Sequence, residues 1–361
     1  MLLLSLSRRR VSRGGLAVGL LGACGLLLAA CGGAPPREPD ETQRVVNVYT
    51  SRHYDADQRL YALFTARTGI EVRTQEKRGE ELLALLQAEG DQSPADLIVT
   101  VDAGNLYRLQ EAGLLAPLAS AAIADAVDAR YRDPNGRWTG FSRRARVIAY
   151  RLDAVDPSSI TSMDDLANQA FRGRVCARSS TNIYNLSMLA ARIERHGPDA
   201  ALGWAQGVVA NFARAPRGGD TDQLKAIAAG ECDLAIVNHY YLLRMQRSED
   251  PAEREAAALI GMTFPDQGPN QPGAHVNISG AGVAAHAPHP AEAQALLEFL
   301  VSTEAQSLLA ELNEEFPVRP DAPLPEALAA IGPLREETTP LSALGQHQAE
   351  AARVFEAAGW P

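Results

Sequence analysis

The sequence carries, at residues 234–241, the stretch LAIVNHYY, in which an apolar run leads into two adjacent tyrosines. Neighbouring side chains of a regular strand leave opposite faces of the sheet, so Tyr240 and Tyr241 cannot converge on one point from within a strand. They can converge where a strand ends and a helix begins. The stretch therefore predicts a buried strand that ends in a ligand-bearing turn.

Two other segments repeat this arrangement of an apolar run followed by polar residues and a tyrosine. They are VVNVYTSRHY at residues 45–54 and RVCARSSTNIY at residues 174–184. In open α/β sheets, ligands bind beyond the carboxyl ends of the strands. We therefore expect one shared site formed by the side chains that follow these three strands, namely His53, Tyr54, Tyr184, Tyr240 and Tyr241.

From residue 44 onward, short apolar strands alternate with amphipathic helices, which predicts an α/β fold with mostly parallel strand pairing. Two extended runs, at residues 146–152 and 275–283, have the character of crossings between two lobes that close on a ligand. We assign residues 44–145 and 277–361 to a first lobe that includes a helical C-terminal tail. Residues 146–276 form the second lobe.

The first thirty residues follow the pattern of a secretory signal peptide. Basic Arg8, Arg9, Arg10 and Arg13 precede an apolar run that is short for a membrane span and ends at Ala30. The box LAAC places Cys31 as the lipidated first residue of the mature chain, with residues 31–43 as a flexible tether. A competing box ends at Cys24, but it would leave three leucines at the start of the mature protein.

The chain is acidic, with a formal net charge of −10 from 34 basic and 44 acidic residues. Removing the leader takes away four arginines, so the mature charge becomes 30 − 44 = −14. An acidic protein argues against nucleic acid or anionic lipid as a partner. It is compatible with a cationic ligand, or simply with the solubility of an exported protein.

After lipidation at Cys31, the chain keeps two cysteines, Cys176 and Cys232, each in or beside a strand that leads into the proposed site. Exported proteins face an oxidising compartment, where such a pair forms a disulfide. Two buried thiols are the alternative.

The donor set indicates which ligand the site would take. A phenol has a pKa near 10, so tyrosine binds a metal at neutral pH only if a strongly polarising cation removes its proton. Phenolate oxygens favour ferric iron over zinc or copper, which prefer imidazole or thiolate. A single tyrosine is more often a half-buried aromatic residue, but four that follow strand ends favour a site. His239 is expected to point away from it.

The three tyrosine segments, with ANFAR at residues 210–214 and NEEFPV at residues 313–318, resemble the ferric iron-binding proteins that serve iron ABC transporters. The resemblance covers essentially the mature chain and implies the two-lobe periplasmic binding protein fold, type II, with a hinge of two crossing strands. It implies Tyr54, Tyr184, Tyr240 and Tyr241 as phenolate ligands and His53 as a fifth ligand. It further implies a monomeric periplasmic receptor, held to a membrane only by its lipid anchor, that delivers Fe³⁺ to an ABC permease. In some family members a carbonate or another anion completes the coordination.

Four phenolates around a 3+ ion leave about one negative charge, which burial disfavours unless cations are close. Arg52 and Arg178 are placed by sequence to supply them, or are ordinary surface arginines. Ferrous iron with some tyrosines protonated would also balance the charge. The alternatives are a receptor for an anion or small organic ligand bound by these two arginines, and a secreted enzyme that uses the same cleft. The sequence lacks the zinc-protease, serine-hydrolase and phosphate-loop motifs, so we expect no catalysis.

Overall fold

The structure, a computed structural model, describes residues 44–361. The predicted signal peptide at residues 1–30, the lipidated Cys31 and the tether at residues 31–43 lie outside this range. The strands of the described residues are β1 (Val45–Thr50), β2 (Glu71–Glu76), β3 (Leu97–Thr100), β4 (Thr139–Arg151), β5 (Val175–Cys176), β6 (Leu234–Asn238), β7 (Ile260–Thr263) and β8 (Val276–Val283).

Helices follow most of these strands, as the alternating pattern predicts. They are α1 (Asp55–Thr68), α2 (Gly79–Glu89), α3 (Ala103–Glu111), α4 (Ala121–Ala126), α5 (Ile183–His196), α6 (Pro198–Ala210), α7 (Asp220–Ala228), α8 (His239–Gln246), α9 (Pro251–Ala257), α10 (Pro290–Leu300), α11 (Thr303–Asn313), α12 (Glu326–Ala330), α13 (Leu341–Gln346) and α14 (Gln348–Ala358). Short 3₁₀ turns occupy Gly90–Gln92, Ala129–Tyr131, Pro157–Ser159, Met163–Ala167 and Gln169–Phe171. No helix within residues 44–361 is both long and apolar enough to cross a membrane.

The strands lie in the order β2-β1-β3-β8-β4-β6-β5, and β7 pairs with β4. The pairs β1–β2, β1–β3 and β5–β6 are parallel, whereas β3–β8, β4–β8, β4–β6 and β4–β7 are antiparallel. The prediction of mostly parallel pairing is therefore wrong. The reason is that β4 and β8 run against the strands beside them, and β4 alone makes three antiparallel pairings.

Strand β4 connects the two lobes. Its first half, Thr139 to Ala145, pairs with β8, and its second half pairs with β6 and β7. Strands β1, β2, β3 and β8 thus belong to the first lobe, and β5, β6 and β7 to the second. The long strand is buried over most of its length although it carries arginines, which marks it as the centre of the molecule.

The last helix departs from the predicted lobe assignment, which placed residues 277–361 in the first lobe. Leu341 and Leu344 of α13 do join the first-lobe core. Phe355 of α14 and Trp360 pack instead in the second-lobe core, beside Trp204. An apolar face on α14 explains this, because it is buried against α5 and α6 and not against the first lobe.

Two further local features concern helices. Ser162 and Asp165 form a capping box at the 3₁₀ turn Met163–Ala167. In the C-terminal tail, α13 and α14 are separated at His347. In the second lobe, Cys176 and Cys232 are joined by a disulfide bond, with their Cα atoms 5.9 Å apart.

Candidate metal centre

Three strand-to-helix connections position the tyrosines. Tyr54 is the extended residue directly before α1, with φ −96° and ψ 141°. Tyr184 lies in the first turn of α5, where the side chain of Asn182 caps the helix by accepting a hydrogen bond from the Tyr184 amide. Tyr240 and Tyr241 lie in the first turn of α8, directly after β6. Adjacent tyrosines can share a site here because the strand has ended.

The four tyrosines form one cluster at the boundary between the lobes. The hydroxyl oxygens of Tyr54 and Tyr240 are 3.3 Å apart, although the two residues belong to different lobes. The rings of Tyr240 and Tyr241 lie 4.4 Å apart between centroids. Burial raises the pKa of Tyr240 well above its usual value, and the nearby phenols of Tyr184, Tyr54 and Tyr241 raise it further.

His53 lies at the exposed edge of this cluster. Its ring centroid is 5.2 Å from that of Tyr54. Together with Tyr184 and Tyr241, it lines a cleft of about 1150 Å³. The structure therefore brings the four tyrosines together in a buried cluster and leaves His53 on the solvent side of it.

Arg52 packs against Tyr54 in the first-lobe part of the cluster. The side chain is buried, with its guanidinium 2.9 Å from Asp57 and 3.2 Å from Glu315. Its Cζ atom lies 4.8 Å from the centroid of the Tyr54 ring. Arg52 is thus not a surface arginine, and two carboxylates hold it against Tyr54.

Three arginines surround Tyr184 in the second-lobe part. The Cζ atoms of Arg144, Arg178 and Arg146 lie 4.9, 5.4 and 5.9 Å from its ring centroid. Arg146 and Arg178 share one carboxylate, that of Asp220, at 3.0 and 3.3 Å.

Arg144 is buried, and its ion pair is with Asp102 at 3.3 Å. Within the described residues, the Nη1 atom of Arg144 has no hydrogen-bond partner. An unpartnered buried donor is costly, so this nitrogen is suited to an oxygen of a bound ligand.

Arg244 lies one helical turn after Tyr240. Its Cζ atom is 4.7 Å from the ring centroid of Tyr54, 4.8 Å from that of Tyr240 and 5.9 Å from that of Tyr241. No ion pair joins Arg244 to a carboxylate within residues 44–361. A cation over three phenol rings stabilises negative charge on their oxygens.

Three of the phenols, those of Tyr54, Tyr240 and Tyr241, resist ionisation in the protein alone. Burial is the largest cause that raises the pKa of Tyr54 and of Tyr241, and the charge of neighbouring phenolates, first that of Tyr184, adds to it. At neutral pH these side chains therefore stay protonated until a strongly polarising cation displaces the protons.

His239 lies outside the donor set, as its position one residue before Tyr240 predicts. The ring is buried, its Nδ1 atom accepts a hydrogen bond from the Ala145 amide at 3.2 Å, and its Nε2 atom is 2.9 Å from the carbonyl oxygen of Glu314. Burial lowers the pKa of His239 to about 4. Both ring nitrogens are engaged, so the imidazole serves the structure and not the site.

Sequence reasoning missed most of the charged residues around the tyrosines, which are Asp57, Asp102, Arg144, Arg146, Asp220, Arg244 and Glu315. One signal was available: Arg143, Arg144 and Arg146 interrupt an extended apolar run, and arginine is almost never buried in a strand unless it is paired. Arg244 was also detectable, because residues four apart on a helix share a face with Tyr240. The carboxylates gave no such local pattern.

Comparison with known proteins identifies the family. A family model for bacterial extracellular solute-binding proteins matches residues 59–332. The chain belongs to this family. This solute-binding protein is 43% identical to iron uptake protein A2 of Synechocystis sp. over 90% of its own length and 92% of that protein.

Solved structures place the solute-binding protein among ferric-binding proteins. The FutA (IdiA) protein of Trichodesmium, solved in complex with iron and citrate ligands, is 45% identical and superimposes with a TM-score of 0.83, covering 88% of this chain and all of that one. The ferric binding protein of Campylobacter jejuni is 34% identical with a TM-score of 0.84 at the same coverage. The resemblance to ferric iron-binding proteins and the two-lobe periplasmic binding protein fold are confirmed. As a solute-binding protein, the chain is not an enzyme, and its family is extracytoplasmic.

Proposed function

We propose that this protein captures ferric iron in the cleft between its lobes and delivers it to an ABC permease. His53, Tyr54, Tyr184, Tyr240 and Tyr241 are the proposed ligands, with Tyr54 and His53 from the first lobe and the others from the second. The observation that carries the proposal is the cluster of four phenols at the lobe boundary, where Tyr54 and Tyr240 already lie 3.3 Å apart through their hydroxyls. Iron uptake and ferric binding by the relatives support it.

The charges around the cluster suit a ferric ion. Five arginines and four carboxylates surround the phenols, which gives 5 − 4 = +1; they are Arg52, Arg144, Arg146, Arg178 and Arg244 with Asp57, Asp102, Asp220 and Glu315. A ferric ion with four phenolates adds 3 − 4 = −1. The sum is zero for the ion and its four phenolates, before any bound anion is counted.

The cleft offers more space than a bare ion needs. Its volume of about 1150 Å³ would admit a carbonate or a larger chelator beside the iron. The Trichodesmium relative was solved with citrate as well as iron. We propose that an anion completes the coordination and that the free Nη1 atom of Arg144 is available to it.

Export and anchoring form part of the same proposal. We propose that residues 1–30 are a lipoprotein signal peptide, that the lipid on Cys31 holds a monomeric protein to a membrane, and that residues 31–43 are the tether. The lobes comprise residues 44–145 with 277–346, and residues 146–276 with α14. Compared with the lobes predicted from sequence, the hinge is unchanged and only α14 is reassigned, from the first lobe to the second.

The second candidate is a receptor for an anion without iron, and the unpartnered Nη1 of buried Arg144 is the observation that favours it. Ferrous iron is a variant of the main proposal, in which some of the tyrosines remain protonated.

Addition of ferric citrate to purified mature protein tests the proposal. We expect a visible phenolate-to-iron charge-transfer band that weakens and shifts in Tyr240→Phe, which keeps three phenolates, and is unchanged in Tyr150→Phe, a control that removes a hydroxyl from β4 outside the cluster. A colourless protein that ignores ferric salts but is stabilised by phosphate or sulfate would support the anion receptor instead. Binding of ferrous but not ferric iron under anaerobic conditions would assign the reduced ion.

A further inference from the structure

The C-terminal end of α14 folds back toward the site. Gly359 has a φ of 73°, a left-handed conformation that glycine adopts without strain. The Gly359 amide donates to the Glu356 carbonyl and the Trp360 amide to the Phe355 carbonyl, each at 3.0 Å. This pair of hydrogen bonds is a Schellman motif, and it reverses the chain so that Trp360 turns into the second-lobe core.

Trp360 is 2% exposed and packs among aromatic rings. Its ring centroid lies 4.8 Å from those of Phe212 and Phe355 and 6.2 Å from that of Trp204. Burial of an indole leaves its N–H in need of an acceptor. The Nε1 atom of Trp360 donates to the carbonyl oxygen of Arg178 at 2.9 Å.

The acceptor belongs to the loop at residues 177–182, which connects β5 to α5 and so precedes Tyr184. Three more bonds hold this loop: Ser180 donates its amide to the Pro361 carbonyl at 2.8 Å, and Asn185 donates its Nδ2 to the Arg178 and Ser179 carbonyls, each at 3.1 Å. Trp360 and Pro361 therefore fix the backbone on either side of residue 179. The loop's charged side chain, Arg178, extends from this fixed backbone toward Asp220 and the Tyr184 ring.

We infer that Trp360 is a positioning residue of the proposed iron site. It makes no hydrogen bond or ring contact with the four tyrosines in the described part of the chain, and acts through the Arg178 backbone. Its indole N–H holds the loop so that the Arg178 guanidinium stays between Asp220 and the ring of Tyr184, one of the proposed ligands. This inference rests on the proposed iron function for its effect on affinity, and on geometry alone for its effect on the loop.

The substitution Trp360→Phe isolates the indole N–H, because phenylalanine retains an aromatic ring in the same cluster. Trp204→Phe is the matched control. Trp204 is also buried in this cluster, and its Nε1 donates to the Met163 carbonyl at 3.0 Å, away from the loop. Both variants lose one indole hydrogen bond to a carbonyl, and only Trp360→Phe loses a bond to the loop at residues 177–182.

The first measurement is ferric iron affinity by competition with citrate. We expect Trp360→Phe to bind about fivefold more weakly, the usual effect of one hydrogen bond, and to shift the charge-transfer maximum. Trp204→Phe should stay within about twofold of the wild type by the same measure. In an Arg178→Gln background, Trp360→Phe should have no further effect on affinity. Equal losses in Trp360→Phe and Trp204→Phe, or an undiminished loss in the Arg178→Gln background, would overturn the inference.

The second measurement does not need iron. Hydrogen exchange of the amides at residues 178–184 should be faster in Trp360→Phe than in Trp204→Phe. Unchanged exchange in that segment overturns the inference whether or not the wild type binds iron. Failure of the wild type to take up ferric iron, with faster exchange in Trp360→Phe, would refute the proposed function and leave the positioning of the loop supported.

Discussion

The first-lobe and second-lobe parts of the candidate site differ in charge. In the first lobe, Arg52 is held by Asp57 and Glu315, which gives 1 − 2 = −1. In the second lobe, Arg146 and Arg178 share Asp220, and Arg244 adds its charge without a carboxylate partner among residues 44–361, which gives 3 − 1 = +2. Arg144 and Asp102 cancel.

This difference indicates an order of events. The second lobe contributes three of the five proposed ligands, Tyr184, Tyr240 and Tyr241, and its arginines compensate the negative charge that phenolate ligands bring. We expect the second lobe to take the ion first, and His53 and Tyr54 to join when the lobes close. Substitutions in the two lobes test or refine this asymmetry.

The largest effect on iron affinity is expected from replacing two proposed ligands of the same lobe. Tyr184→Phe with Tyr241→Phe should weaken ferric binding by more than about 10,000-fold, whereas His53→Ala with Tyr54→Phe should weaken it by about 100-fold and leave a coloured complex. Competition with citrate measures the ferric iron affinity of each double variant, and the charge-transfer band shows whether its iron complex is coloured. Circular dichroism spectra that match the wild type are the control for folding. Equal losses in the two double variants would refute the asymmetry.

The second effect concerns the disulfide, which lies in the second lobe. Replacing Cys176 and Cys232 by alanine should lower the free energy of unfolding by about 4 kcal/mol, since the bond closes a loop with a sequence separation of 56. Urea denaturation measures the change in the free energy of unfolding. Hydrogen exchange should show the loss of protection mainly in β6 and far less in β1. A uniform loss over both strands would show that the lobes do not differ in stability.

The third prediction concerns pH and Asp102, which links the two parts. This first-lobe carboxylate accepts hydrogen bonds from Ser187 of the second lobe and from Asn277 of β8, each at 2.8 Å. Burial raises its pKa from 3.8 to about 6, although Arg144 lowers it. Between pH 4 and 6, the folded protein then binds more protons than the unfolded chain, so this group's contribution to the free energy of unfolding falls as pH rises.

The difference in free energy of unfolding between the wild type and Asp102→Asn should fall by about 2 kcal/mol from pH 4 to pH 6 and level off above about pH 7. Urea denaturation at several pH values measures it for the two proteins. A difference that is flat over this range would mean that Asp102 keeps an ordinary pKa in the folded state.

The smallest effect is expected at Glu315. Its charge raises the pKa of Tyr54 and Tyr240, so Glu315→Gln should make both phenols easier to ionise. We expect ferric iron to bind about fivefold more tightly and to be retained to lower pH. The matched substitution Glu336→Gln removes a carboxylate that pairs with Arg130 and Arg143 instead, and it should leave iron binding unchanged. Weaker binding in Glu315→Gln would show that the carboxylate's hold on Arg52 matters more than its charge.

The sequence predicted the features that depend on neighbours along the chain. The turns that carry Tyr54, Tyr184 and the Tyr240–Tyr241 pair follow from an apolar run, a cap and a helix start, all within a few residues. Each of these signals is local, so the chain itself displays it.

The features that sequence did not predict depend on partners far along the chain. Arg52 and Glu315 are 263 residues apart, and nothing near either residue indicates their pairing. The antiparallel course of β4 and β8 likewise depends on strand order, which no single strand encodes. For α14, an apolar face predicts that the helix is buried but not which lobe covers it.

The passage from α13 to α14 gives the molecule a third crossing between the lobes, in addition to β4 and the segment that leads from β7 into β8. Two crossings side by side allow one half of a molecule to twist as well as bend against the other. A third one, anchored at Leu344 on one side and Phe355 on the other, resists twisting and favours rotation about a single axis. Each closure would then bring Tyr54 to the same position opposite Tyr240, because rotation about a single axis has only one closed end point.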